Sequence, residues 1–162
     1  MTATTGPTTL AIDIGASGLK ASVLDATGAI VVERVRVKAT YPCPPEALVA
    51  ALARLVAPLP AFDRVAVGFP GMVRSGRILS ASNFATVSGP GSKSSPELSV
   101  AWERFDLGGA LEAALARPTR VVNDADMQGA ACVGGHLGLF KPSCGGLART
   151  PPTTSPSRPS RR

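Results

Sequence analysis

Apolar residues recur along this chain in short runs separated by turn-forming residues, and the spacing inside each run predicts its element. Thr8 to Ile14 is apolar apart from Asp13 near its end, and Gly15-Ala16-Ser17-Gly18 after it reads as a turn. Leu19 to Leu24 resumes an extended pattern, and Ala26-Thr27-Gly28 is a second turn signal. From Ile30 to Lys38, Val31, Glu33, Val35 and Val37 interleave with Val32, Arg34, Arg36 and Lys38, the period of a strand with at least one solvated face. Three strands joined by short turns predict an antiparallel meander. Tyr41-Pro42-Cys43-Pro44-Pro45 breaks the chain. Glu46 to Val56 then puts Leu48, Val49, Leu52, Leu55 and Val56 on one helical face, and Pro58 and Pro60 stop it.

Arg64 to Phe69 predicts a buried strand running into Pro70-Gly71. Met72-Val73 and Ile78-Leu79 flank Ser75-Gly76, a small hairpin. Ser88 to Glu97, rich in Gly, Ser and Pro, is expected to be a loop. Asp106 is placed to cap a helix over Leu107 to Ala116. Thr119 to Val122 is a further strand with Asn123-Asp124 at its end, and a helix is expected from Ala125. The order β-β-β-α-β-hairpin-α-β-α predicts a mixed α/β layered domain. From about residue 134 the periodicity fails, and residues 150–162 contain only Thr, Pro, Ser and Arg, a composition that cannot bury a core. The expected organisation is a flexible start over 1–7, a folded unit over 8–133, and an irregular to disordered basic tail over 134–162.

Charge follows the same division. The formal net charge is +6, but residues 1–140 hold 12 basic and 11 acidic side chains, whereas 141–162 hold five basic ones and no acid. The basic character is a property of the tail. It predicts weak, salt-sensitive attraction to polyanions without sequence readout, and no specific nucleic-acid partner. Apolar residues make up 44% of the chain and aromatic ones 4%, so the core must be built mostly of Val, Leu, Ile and Ala. No apolar run reaches the roughly 18 residues of a membrane span, and nothing at the N-terminus reads as a signal peptide, so a cytoplasmic setting is expected. Cys43, Cys132 and Cys144 show no metal-ligand spacing and read as small residues of a reduced core. His136, the single histidine, lies where the pattern dissolves and is expected to have no catalytic role.

Four segments carry candidate chemistry. In Asp13-Ile14-Gly15-Ala16-Ser17-Gly18-Leu19-Lys20 an acid at a strand end precedes a glycine-containing turn, a hydroxyl and a lysine. Turn amides and the Ser17 hydroxyl can face phosphate oxygens, Lys20 can add a point charge, and Asp13 can hold Mg²⁺ through water. The same residues also suit an ordinary hairpin turn. A Walker-type loop is excluded, because that motif runs directly into a helix and Leu19 to Leu24 reads as a strand. Gly68-Phe69-Pro70-Gly71 permits a tight turn after the buried strand, with a purely structural role as the alternative. Asn83 can exchange hydrogen bonds with sugar hydroxyls or simply form a turn. In Asn123-Asp124-Ala125-Asp126 a carboxylate stands at the carboxyl end of a core strand, where α/β folds bind ligands and a base can take a proton from a hydroxyl. Either Asp124 or Asp126 would alternatively cap the following helix. Asp126 also suits a first-turn acid on the helix dipole.

Taken in this order, Ala11-Ile12-Asp13-Ile14-Gly15, Val67-Gly68-Phe69-Pro70-Gly71, the Asn83 loop and Asn123-Asp124-Ala125-Asp126 resemble the ROK family of sugar kinases over about residues 8–133. The stretch Asn-Asp-Ala-Asp-Met-Gln-Gly at 123–129 is most similar to its polyphosphate glucokinase (polyphosphate–glucose phosphotransferase) branch. The resemblance implies the ribonuclease H-like, actin-like ATPase fold, with two lobes around a cleft. It also implies transfer of a phosphoryl group from polyphosphate or ATP, with Mg²⁺, to the 6-hydroxyl of glucose or a similar hexose. On that resemblance Asp13, Gly15, Ser17, Gly18 and Lys20 match the first phosphate-binding loop, Asp124 the general base, and Asn83, Asn123 and Asp124 sugar-binding positions. Full-length members are expected to be homodimers, and the family's repressors carry an N-terminal DNA-binding helical motif that this sequence does not show.

Two departures accompany it. Ala16 stands where the family loop has a second glycine; if that position needs a positive φ, a Cβ there costs on the order of 1 kcal/mol. After Gly134 neither a second Gly-Thr-Gly phosphate loop nor a second lobe follows, and the last acid is Asp126. The expectation is an N-terminal lobe alone, through a frameshift near 132–140, with little or no turnover, or else a non-catalytic sugar- or polyphosphate-binding remnant.

Overall fold

The computed structural model describes residues 6–127. Strands β1 (Thr9–Ile14), β2 (Gly18–Leu24) and β3 (Val35–Lys38) are followed by helix α1 (Pro45–Val56) and strand β4 (Arg64–Phe69). A two-stranded hairpin, β5 (Val73–Arg74) and β6 (Arg77–Ile78), comes next. Helices α2 (Pro96–Trp102) and α3 (Leu107–Leu115) then lead to β7 (Thr119–Asn123), and residues 124–127 are helical. The expected mixed α/β architecture is present. Five strands form one sheet in the order β3-β2-β1-β4-β7. The first three run antiparallel as a meander, while β1, β4 and β7 are mutually parallel.

Alternation along the strands gives the sheet two different faces. Leu10, Ile12 and Ile14 of β1, Leu19, Ala21 and Val23 of β2, and Val65, Val67 and Phe69 of β4 join Val121 in one buried core. Leu48, Leu52 and Val56 of α1 and Leu107 and Leu111 of α3 close it. Val49 and Leu55 of the expected helical face pack at its margin. The other face carries Ala11, Asp13, Lys20 and Ser22, and it holds the polar chemistry.

Aromatic residues are few but concentrated. Phe69, Phe84 and Trp102 stack with ring centroids 5.6–5.7 Å apart, and Tyr41 and Phe105 flank them. The Trp102 indole N–H donates to the Cys43 carbonyl at 3.0 Å, which ties α2 to the chain entering α1. Cys43 is buried and unpaired, as a small core residue should be.

Two elements differ from expectation. The strand expected over Ile30 to Lys38 is only Val35–Lys38. Ile30 bridges Leu24, but by Val35 the partner is Ala21, so four residues on one side face two on the other. Val31 N–H still donates to Val23 O at 2.8 Å, and residues 32–34 then arch off the ladder. The Ser22 hydroxyl fixes the arch by donating to the Val32 carbonyl at 3.0 Å. The loop expected over Ser88 to Glu97 yields at its end to α2. Ser95 caps that helix, accepting from the Leu98 N–H at 3.2 Å, with Pro96 at the first helical position. The hairpin turn at Ser75-Gly76 has positive φ at both residues, 50° and 77°, the conformation whose twist suits a two-residue loop. Among the described residues no helix is long and apolar enough to cross a membrane. Cys132, Cys144 and His136 lie outside the described residues.

Two outcomes follow from this packing. Trp102→Phe keeps the ring but strands the Cys43 carbonyl, and should lower the unfolding free energy by about 1–3 kcal/mol in urea denaturation. Burial pushes the Cys43 thiol up from 9.0 to about 11. Its unfolded form ionises first, so this group's contribution to stability is intact below pH 9 and is lost as pH rises toward 11. Peptide mapping after iodoacetamide treatment at pH 8 should find Cys43 unmodified in the folded chain and alkylated in urea.

Candidate functional site

Parallel pairing brings three strand ends to one edge of the sheet. Asp13 on β1 is in register with Gly68 on β4, Gly68 with Val122 on β7, and Phe69 with Asn123. Strands lie about 4.8 Å apart, so the end of β1 and the end of β7 are separated by about 10 Å, with the Gly68–Gly71 turn between them. Asp13, the glycine-proline turn and Asn123-Asp124 thus share one end of the sheet. That end is the carboxyl side, where open α/β sheets take their ligands.

The turn after Asp13 is closed by its own backbone. Gly15 N–H donates to Gly18 O at 2.9 Å, and Gly18 N–H returns the bond to Gly15 O at 3.2 Å. Those two amides are therefore spent on the hairpin, and the amides of Ala16 and Ser17 stand at its tip. A Cβ on Gly15 would sit 3.0 Å from Gly18 O, and one on Gly18 would sit 3.0 Å from Val37 O. Both glycines are there for closeness rather than for an unusual φ. Ala16 also has no positive φ, so the strain considered for its Cβ does not arise. Behind the tip, the Tyr41 hydroxyl donates to Ala16 O at 2.6 Å and Ala39 N–H donates to Ser17 O at 3.3 Å. Ser17 itself is exposed.

Lys20 stands opposite Asp13 in the β1–β2 register, and its ammonium meets Asp13 Oδ2 at 3.1 Å. Both side chains are partly exposed, 43% for Lys20 and 28% for Asp13, so the pair is reachable by ligand. As for a metal, Asp13 offers one carboxylate, and no cluster of three metal-ligating side chains occurs among the described residues. A lone carboxylate suits Mg²⁺ held mainly through water and ligand oxygens, and does not suit an all-protein cage.

At the end of β7 the Asn123 side chain works in both directions. Its amide N–H donates to Gly71 O at 2.6 Å, and its oxygen accepts from the N–H groups of Ala125 at 2.9 Å and Asp126 at 3.2 Å. It is the cap of the helix beginning at 124, and it clamps that helix to the turn after β4. Capping therefore falls to Asn123. Asp126 lies exposed on the first turn. Asp124 is half-buried, and its Oδ1 accepts from the Ala125 N–H at 2.8 Å. The turn that Asn123 holds is tight: Gly71 N–H donates back to Phe69 O at 3.0 Å around Pro70. A Cβ on Gly71 would run into the Ser80 carbonyl oxygen. Gly68 has more room: a Cβ there would meet Met127 Sδ at 3.5 Å, an ordinary contact, where the new helix passes over β4.

Asn83 lies in the turn after the small hairpin. Thr86 Oγ1 donates to its carbonyl at 3.1 Å, and Phe84 beside it stacks on Phe69, the last residue of β4. That contact anchors the Asn83 turn near the same sheet end. A groove of about 870 Å³ lies along β7 beside Gly76, Glu112, Asn123 and Asp126; neither Asp13 nor Asp124 lines it. The Asn123–Gly71 clamp escaped sequence reasoning because its partner is 52 positions away. The Asn123 cap had a local signal, an Asn two residues before Ala125 at a strand-to-helix change.

An antiparallel β1-β2-β3 meander continued by parallel β4 and β7 is the lobe architecture of the actin-like ATPase fold found in sugar kinases. Residues 9–134 match the ROK family, and the chain belongs to it. Its structure superposes on the inorganic polyphosphate/ATP-glucomannokinase of Arthrobacter sp. strain KM with a TM-score of 0.62 and 33% identity, covering 78% of this chain and 47% of that one. A ROK family glucokinase from Streptomyces griseus, solved with glucose and AMPPNP, gives a TM-score of 0.54 at 27% identity, over 76% of this chain and 36% of that one. A ROK family transcriptional regulator, a homologue of the E. coli MLC protein, shares the fold with a TM-score of 0.57 at 18% identity, over 79% and 30%. The chain thus spans about half the length of the glucomannokinase and about a third of the glucokinase. No curated protein matches the chain.

Asn123→Ala removes one clamp bond and both capping bonds. It should destabilise the protein by about 1–3 kcal/mol in thermal or urea unfolding. Asn123→Asp keeps the cap but not the bond to Gly71, and should fall between the two.

Proposed function

We propose that this lobe serves phosphoryl transfer to the 6-hydroxyl of a hexose, glucose foremost, with Asp124 as the general base. The observation that carries this reading is the register that aligns Asp13, Gly68 and Asn123-Asp124 at one sheet end, in a chain 33% identical to a glucomannokinase. The Asp124 carboxylate takes the hydroxyl proton as the sugar oxygen attacks phosphorus. The oxygen–phosphorus bond to the sugar forms, and the bond to the leaving phosphate chain breaks. Asn123 performs the capping, which leaves one Asp124 oxygen for this role. Asn83 and Asn123 orient the sugar in this reading, Asn123 with its second amide hydrogen.

The donor is polyphosphate or ATP, the two donors named for the glucomannokinase; AMPPNP accompanies glucose in the S. griseus enzyme. Ala16 and Ser17 amides, the Ser17 hydroxyl and Lys20 receive its phosphate oxygens, with Gly15 and Gly18 shaping the turn. Asp13 would hold Mg²⁺ through water, and the ion would supply neutralisation of the donor's charge. A cytoplasmic setting and a homodimeric full-length assembly belong to the same proposal. The alternative reading is sugar or polyanion binding without turnover.

Glucose-6-phosphate formation with each donor, together with glucose binding by calorimetry, separates the two. Asp124→Asn should lower turnover by about 10²–10⁴-fold while changing glucose affinity only a few-fold. Hexose binding by the unmutated chain with no product from either donor would replace the catalytic reading with the binding one.

A further inference from the structure

On the side of the sheet away from β7, strand β3 is the edge, and a groove of about 500 Å³ runs between it and α1. Its walls are Val35 and Val37 of β3 and Ala47, Ala51 and Leu55 of α1, with Pro58 beyond the end of the helix. Val37 is 46% exposed, an uncovered apolar residue on an edge strand. Lys38 and Arg54 also line the groove, and no carboxylate does. Arg36, on the same strand, is exposed too, and none of these three cations is ion-paired among the described residues.

The backbone of β3 has a defined spare edge. Ala39 N–H donates to Ser17 O at 3.3 Å, so the backbone of Ala39 faces the β2 side. In an antiparallel ladder residues facing the partner in this way alternate. Val37–Leu19 and Val35–Ala21 are therefore the bonded pairs, and the N–H and C=O groups of Arg36 and Lys38 point outward. An edge strand beside a helix, with an apolar trough between them, is the arrangement that accepts an added strand from a partner.

We propose that this groove binds an extended acidic segment of a partner protein, with acidic and apolar residues alternating, as an added strand on β3. The segment's backbone pairs with Arg36, its apolar side chains fill the trough against Val37 and Ala51, and its carboxylates, on the opposite face of the sheet, meet Arg36 and Lys38. Charge decides among the occupants. A second copy of β3 would set Arg and Lys against Arg and Lys. The chain's own residues 141–162 carry five basic groups and no acid. Opposite charges directly across a strand pair stabilise it and like charges destabilise it. The site also touches the Ala16-Ser17 turn, because the segment leaving β3 holds that turn through Ala39 and Tyr41. The inference does not depend on the proposed catalytic reading.

The test titrates the full chain into a dye-labelled nine-residue peptide of alternating Glu and Val, followed by anisotropy, with an alternating Lys–Val peptide as the counterpart. Saturable binding of the acidic peptide at least tenfold tighter than of the basic one is expected. Lys38→Glu should weaken it at least tenfold. Arg36→Pro deletes the outward N–H but no ladder bond to β2, and should weaken binding well beyond Arg36→Ala, with circular dichroism showing both variants folded. Equal binding of the two peptides would overturn the proposal, and so would an Arg36→Pro variant that binds like Arg36→Ala. Self-association in sedimentation that Arg36→Pro abolishes would overturn it in favour of a second copy.

Discussion

Everything at the candidate site depends on the parallel pairing of β1, β4 and β7. A parallel neighbour cannot be reached by a tight turn, so the chain must cross over, and it does so through α1 before β4 and through α3 before β7. Those crossovers bury one face of the sheet and return every strand in the same direction. The carboxyl ends therefore gather at one edge, and residues 13, 68 and 123, far apart in the chain, become neighbours. The helix after β7 starts over the end of β4, and Met127 packs against Gly68.

Polar groups at this edge are used with little left over. The amides of Gly15 and Gly18 close the hairpin on each other, Lys20 answers Asp13, and Asn123 serves turn and helix at once. Among the described residues no buried side-chain nitrogen or oxygen lacks a partner. What remains to meet a ligand is small and localised: the turn tip at Ala16 and Ser17, the Asp13–Lys20 pair, one oxygen of Asp124 and the Asn83 side chain.

Much of this was legible in the sequence because strands and helices leave periodic marks. The short apolar runs that form β1, β2 and β4 and the face of α1 were read correctly, and so was the hairpin about Ser75-Gly76. The over-long strand from Ile30 failed because alternation continues through residues 31–34 while the register with β2 slips by two. A bulge of that kind is a property of the pair of strands, not of either one. Helix α2 was missed although Ser95-Pro96-Glu97 announces it, because a Gly/Ser/Pro-rich stretch masks a short helix. Asp13 and Asp124 were singled out from their positions at strand ends, and the structure sets both at the same end of the sheet. The clamp from Asn123 to Gly71 was not, because its partner is fixed only by the sheet. The worry over Ala16 came from treating a conserved glycine's place as a demand for left-handed backbone, and the turn makes no such demand.

The Asp13–Lys20 contact makes the ligand-free turn a closed zwitterion. A lone anion approaching Lys20 must also face the carboxylate, and a lone cation approaching Asp13 must also face the ammonium. Each would have to leave one partly desolvated charge unmatched in order to bind. A ligand bearing both signs, such as a phosphate chain with its counter-ion, can trade places with the pair and leave neither charge orphaned. On the proposed reading of this turn as the donor site, the contact would act as a coincidence filter, indifferent to the stray phosphates and divalent ions of ordinary solution and receptive to the two arriving together.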